Sequence, residues 1–186
     1  CKVIHGDAAP LATLRAVSVV ISIFAAWLVY LLGCRMFDRR AALWAAIVWA
    51  SCFLVVYETR YARHDIYLVA SVHLAMLGIF KFWQRERFGF LITLIGLTLA
   101  FQCKGPVSWA LTVLPAVVFA LVRRPVRWRF IGGLVVAMLL GGATLLPWIY
   151  AAAAQLNISV YYTWKWESIG RFASEHAPFV PPWYYL

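Results

Sequence analysis

Six long, largely apolar runs separated by short charged turns take up most of this chain: Leu11 to Cys34, Ala41 to Tyr57, Ile66 to Phe82, Phe88 to Cys103, Pro106 to Val122 and Phe130 to Tyr150. In hydrocarbon every backbone N–H and C=O must be satisfied within the segment, so each run is predicted to be a helix. Runs so uniformly apolar lack the inside-outside alternation of a barrel strand. With 65% hydrophobic residues, 13% charged residues and a mean hydropathy of +0.81, a soluble globular core is excluded. The 186 residues hold roughly six spans of about 20 residues each. The fold class expected is therefore all-α, a polytopic transmembrane helix bundle. Residues 1–150 would form a six-helix membrane domain, and residues 151–186 an interfacial loop leading into a further helix. No soluble catalytic domain fits.

Alternate turns must fall on opposite faces, and their charges differ. One face collects Arg35, Arg39, Arg40, Lys81, Arg85, Arg87, Arg123, Arg124, Arg127 and Arg129 against only Asp38 and Glu86, which marks it as cytoplasmic. The other carries Lys2, Arg15, Arg60, Arg63, Lys104, Lys165 and Arg171, with Asp7, Glu58, Asp65, Glu167 and Glu175. Chemistry is expected on this outer, mixed face. The net charge of +10 is thus accounted for by membrane topology, and no nucleic-acid partner is expected. Cys1, Cys34, Cys52 and Cys103 have no short repeated spacing and read as small buried hydrophobes.

Residues Cys1 to Pro10 have neither the basic start nor the apolar stretch of a signal peptide, and no initiating methionine precedes them. The chain is expected to begin and end inside a larger protein. Pro181-Pro182-Trp183-Tyr184-Tyr185-Leu186 reads as the interfacial entrance to another helix. Gly132, Gly133, Gly141 and Gly142 in the sixth run are expected to permit close helix packing.

Candidate functional residues lie on the outer face. Lys104 interrupts two apolar runs in Gln102-Cys103-Lys104-Gly105-Pro106. Either it snorkels to lipid, or it binds an anion, helped by the free amides of the helix that Pro106 opens. Gly105 would let the backbone approach a ligand. Asp65 opens the third run, as a helix cap or as a site carboxylate. Arg60 and Arg63 are three apart, so on a helical turn both could approach one phosphate, or both could snorkel. Glu167 and Arg171 would form an ion pair four apart on a helix, unless Arg171 is turned to a phosphate. His73, inside the third run, has no partner on its own helix and is expected to bond to a neighbouring one. No Ser-His-Asp order, Cys-His pair or phosphate-binding glycine loop is present.

Taken in order, the basic turn Arg35-Met36-Phe37-Asp38-Arg39-Arg40, then Arg60-Tyr61-Ala62-Arg63-His64-Asp65, Lys104-Gly105-Pro106, Trp166-Glu167-Ser168-Ile169-Gly170-Arg171-Phe172 and Pro182-Trp183-Tyr184-Tyr185 resemble the polyprenyl-phosphate-dependent membrane glycosyltransferases. The likeness is to the lipid A aminoarabinose transferases and their mannosyltransferase-like relatives, and it runs over nearly the whole chain. It implies the GT-C fold and transfer of a sugar from an undecaprenyl or dolichyl phosphate carrier to a lipid or protein acceptor. The site would face the periplasm from the bacterial inner membrane. The resemblance further implies that Lys104 and Arg171 hold the carrier phosphate, with Arg60 or Arg63 assisting, and that Asp65 is a catalytic carboxylate. Relatives carry their principal aspartate in a first outer loop ahead of the first run here, and Asp7 does not match it. Aminoarabinose-type relatives also show histidine, able to bind a divalent metal, in the stretch ending at Arg171-Phe172. Here Trp166 and Ser168 stand at those positions beside Glu167, so the metal and the aminoarabinose substrate stay open. The rival readings are a transporter or lipid-carrier translocase, which would place its charges near mid-membrane, and a structural subunit, in which Asp65, Lys104 and Arg171 would lie far apart.

Overall fold

The computed structural model describes residues 8–61, 63, 65–123, 126–147, 150 and 151. They form seven helices and, among the described residues, no strand: α1 (Ala8–Met36), α2 (Arg39–Ser51), α3 (Phe53–Arg60), α4 (Asp65–Trp83), α5 (Gly89–Lys104), α6 (Pro106–Val122) and α7 (Trp128–Ala143). The chain divides into two compact units, Cys1–Thr144 and Leu145–Leu186, and all seven helices belong to the first. The expected interfacial tail, with Glu167 and Arg171, lies outside the described residues.

Five apolar runs of the sequence end within a few residues of the observed helices, and turn chemistry explains where. Asp38 caps α2, its carboxylate accepting from the Ala41 amide at 2.8 Å. Pro106 occupies the first turn of α6, where its missing N–H costs nothing. Gly105 has φ 61° and ψ −143°, a conformation essentially reserved for glycine.

The count of about six spans is not confirmed. Among the described residues two helices, Arg15–Met36 and Asp65–Trp83, are long and apolar enough to cross a membrane, or three if the bent pair α2–α3 counts as one span. α5, α6 and α7 are apolar but only 16, 17 and 16 residues long, about 24 to 26 Å of helix against a hydrocarbon core of about 30 Å.

Two of the expected runs are interrupted. The second is bent by 54° between α2 and α3, with Cys52 extended at φ −60° and ψ 128°. The Ser51 hydroxyl donates back to the Val48 carbonyl at 3.1 Å just before the bend. The sixth run ends as a helix at Ala143, short of Tyr150, with Thr144 at its C-cap. A turn at Thr144 and Leu145 interrupts the run there.

α4 and α5 form the most extensive pairing, α1 packs on α2 and α4, and α7 packs on α5. Ala75, Ile79, Leu97, Val113, Ala116, Ala120, Phe130, Leu134 and Ala137 form the core between α4, α5, α6 and α7. The closest backbone approach is made by glycines other than those expected. A Cβ on Gly78 would lie 2.3 Å from the Thr93 nitrogen, and one on Gly96 2.4 Å from the Ala75 nitrogen. In the sixth run Gly133 meets the Phe82 ring, Gly141 meets Thr98 and Gly142 meets Trp109, as expected, but Gly132 faces open space. Away from this core the helices present large apolar side chains outward, among them Trp44, Phe53 and Val122 at 66%, 80% and 76% exposure. In water such a surface would associate or aggregate, whereas lipid tails satisfy it.

The cysteines are not buried as expected. Among the described residues Cys34 and Cys103 are partly exposed and Cys52 exposed. His73, expected to reach across to a neighbouring helix, instead bonds through Nδ1 to the Val69 carbonyl of its own helix at 2.7 Å, with Trp49 edge-on at 5.7 Å.

Candidate functional site

The antiparallel α4–α5 hairpin has a basic turn at one end and brings Asp65 and Lys104 together at the other. Asp65 is the acidic residue of the first turn of α4, and Lys104 the basic residue of the last turn of α5. Each charge has the sign that its helix end favours. Lys104 Nζ lies 2.5 Å from Asp65 Oδ1, with the side chains 41% and 26% exposed. Close by, Phe101 stacks on Trp109 at 4.0 Å across the α5–α6 turn.

Asp65 and Lys104 line a cleft of about 230 Å³ with Leu54, Val55, Glu58, Ile66 and Val69. Glu58 is the residue that sequence reasoning left out of the site. Its side chain is 12% exposed, and Oε1 lies 3.3 Å from Arg63 Nη1, while Oε2 is buried with no hydrogen-bond partner. A buried acceptor left unpaired is costly, so a hydroxyl or amine entering this cleft would find a free acceptor. The available signal was an acid inside an otherwise apolar helix, Phe53-Leu54-Val55-Val56-Tyr57-Glu58.

The two arginines do not share a helical face, because α3 ends at Arg60 and Arg63 lies beyond the turn at Tyr61. Arg63 pairs with Glu58, and Arg60 lines a different cleft, of about 350 Å³, with Arg15, Val56 and Thr59. Arg15, Glu58, Arg60, Arg63, Asp65 and Lys104 nevertheless gather at one end of the helices. The opposite end carries Lys81, Arg85, Glu86 and Arg127, and Arg35 of α1 pairs there with Glu86. The described residues expected to share a face therefore share an end, and the described charges avoid the middle of the bundle. Contact between Asp65 and Lys104 also removes, for that pair, the wide separation that a purely structural subunit would show.

Among the described residues no group of three histidine, cysteine or acidic side chains could hold a metal ion. The stretch in which Glu167, Trp166 and Ser168 fall lies outside them. An ammonium held by a carboxylate, beside a carboxylate oxygen with no hydrogen-bond partner, gives this cleft both a cation and an acceptor. The ammonium has three N–H donors, so Asp65 occupies only part of its capacity.

The sequence profile of the family described as dolichyl-phosphate-mannose-protein mannosyltransferase matches residues 5–151. The undecaprenyl phosphate-alpha-4-amino-4-deoxy-L-arabinose arabinosyl transferase of Pseudomonas aeruginosa (strain LESB58) is 33% identical over 179 residues, covering 92% of this chain and 32% of that protein. The protein of the same description in Pseudomonas paraeruginosa (strain DSM 24068 / PA7) is 32% identical, with the same coverage. A transferase of that description, numbered 2, in Sodalis glossinidius (strain morsitans) is 34% identical over 173 residues, 87% of this chain and 30% of its own length. The chain thus spans about a third of the length of the curated relatives it matches. No solved structure matches it.

Proposed function

Since the chain belongs to the dolichyl-phosphate-mannose-protein mannosyltransferase family, we propose that it forms part of a membrane glycosyltransferase using a polyprenyl-phosphate sugar donor, with Lys104 as a ligand of the carrier phosphate. The observation that carries this reading is the contact of Lys104 with Asp65 at the mouth of the Glu58 cleft. The acceptor is a lipid or protein hydroxyl, and the site faces the outside of the bacterial inner membrane.

In the reaction the acceptor oxygen attacks the anomeric carbon and its proton passes to a base. The bond from that carbon to the phosphate oxygen breaks, and the electron pair leaves with the carrier. A phosphodiester thereby becomes a monoester, and negative charge grows on its oxygens. A cation already in place stabilises that growing charge without reorganising solvent. Asp65 acts as the positioning residue that aims the ammonium. Arg171 is retained as a second phosphate ligand on the strength of the sequence resemblance, and Arg63 is held close by Glu58. Glu58 Oε2 accepts a hydrogen bond from a hydroxyl or amine of the sugar.

Membranes carrying the protein with Lys104→Ala or Arg171→Ala should insert it normally and lose transfer from a polyprenyl-phosphate sugar by roughly 100- to 1,000-fold, the usual effect of removing one group that stabilises a developing anion. Undiminished transfer in both variants would remove the phosphate assignment.

A further inference from the structure

At the opposite end of the helices, the α4–α5 turn and the start of α7 enclose a second cleft, of about 270 Å³, lined by Phe82, Trp83, Arg85, Arg127, Arg129 and Phe130. Its polar lining is three guanidiniums with no carboxylate. The nearest acid in sequence, Glu86, is already engaged by Arg35 and by Lys81 at 3.5 Å. Arg85 and Arg129 have no ion-pair partner among the described residues.

Arg127 is fixed in position: it donates to the Trp83 carbonyl at 2.8 Å, and its guanidinium lies over the Trp83 ring at 4.3 Å. Arg85 sits in a left-handed backbone conformation at φ 60°, uncommon for a residue with a side chain, within the tight turn that joins α4 to α5. Three like charges converging on one cleft repel each other unless an anion enters. Guanidinium forks match the oxygens of a phosphate, and basic pockets between membrane helices bind anionic headgroups. The aromatic floor of Phe82 and Trp83 suits the apolar stem beneath such a headgroup.

We propose that this cleft is a phosphate-binding site, separate from the Asp65–Lys104 cleft and occupied by a phosphate-bearing anion. The source is either the headgroup of an anionic phospholipid or soluble inorganic phosphate.

Native mass spectrometry of the detergent-solubilised protein tests this with phosphatidylglycerol and inorganic phosphate as probes. The variant Arg85→Gln/Arg129→Gln leaves the Arg127 anchor intact. Arg39→Gln/Arg40→Gln removes the same charge at the same end but outside the cleft. The cleft variant should bind phosphatidylglycerol at least about tenfold more weakly than the protein itself, consistent with two lost basic contacts, while the control variant keeps its affinity. Displacement of the lipid by millimolar inorganic phosphate would identify soluble phosphate as the occupant, and failure to displace it would identify the lipid. Equal lipid binding by all three proteins, or equal loss in both variants, together with no retention of inorganic phosphate, would overturn the site.

Discussion

Gly105 separates the proposed phosphate ligand from a proline, and its backbone at φ 61° and ψ −143° is what lets two helices meet with only one residue between them. An added Cβ there would touch nothing within 4 Å, so Gly105→Ala tests backbone strain alone. It should lower stability by about 1–3 kcal/mol, measurable as an earlier thermal unfolding in detergent. Lys104→Ala breaks a partly solvated ion pair and should cost only about 1 kcal/mol of stability, so a much larger loss of transfer would reflect ligand binding and not unfolding. At the opposite end, Glu86 is held below the usual carboxylate range, mainly by the hydrogen bond from Arg35, with desolvation opposing and the charges of Arg35 and Lys81 assisting. A depressed carboxylate contributes stability that is complete above its ordinary pKa of about 4.3 and is lost as pH falls through its lowered folded value. Arg35→Gln should therefore flatten the loss of stability on acidification below about pH 4. Identical acid limbs for the two proteins would contradict that coupling.

Helix by helix, the sequence was most legible where a turn residue has a single structural use. Asp38, the Gly105-Pro106 pair and the basic turn around Arg85 each sit where the chain leaves or enters a helix. It was least legible at Cys52, where neither glycine nor proline announces the bend and the backbone simply turns extended for one residue. The packing glycines were legible in part. Of Gly132-Gly133 and Gly141-Gly142, conspicuous as pairs, all but Gly132 pack closely against a neighbouring helix, but the closest backbone approach uses isolated Gly78 and Gly96, which only the register of α4 against α5 reveals. Gly96→Val should force these helices apart against the Ala75 backbone and cost about 1–3 kcal/mol. The same change at Gly132, with open space around it, should cost little; equal destabilisation by both would show that α4 and α5 are not in this register.

For the molecule as a whole, loop charge placed Asp65 and Lys104 on one face, and they meet there; Glu58, which lines the same cleft, escaped because nothing in the sequence says which way a bent helix leans. Cysteines placed at Arg39 and Arg60, in a protein whose native cysteines are replaced, should react with an impermeant maleimide from opposite sides of the membrane. Labelling from the same side would refute the reading of α2 and α3 as one bent span. Exchanging the charges as Asp65→Lys/Lys104→Asp should recover only part of the stability lost in either single variant, because each charge then opposes its helix end, and should not recover sugar transfer, because the cation then projects from the wrong helix. The turn at Arg85 and the pair at Lys104 are joined by α4 and α5 alone, which run alongside each other without a break. A single residue inserted in α5 would swing everything beyond it by about 100° and advance it about 1.5 Å. The hairpin thus works as a gauge: the number of residues counted out from its basic turn decides whether the charge at its other end meets its partner or points away from it.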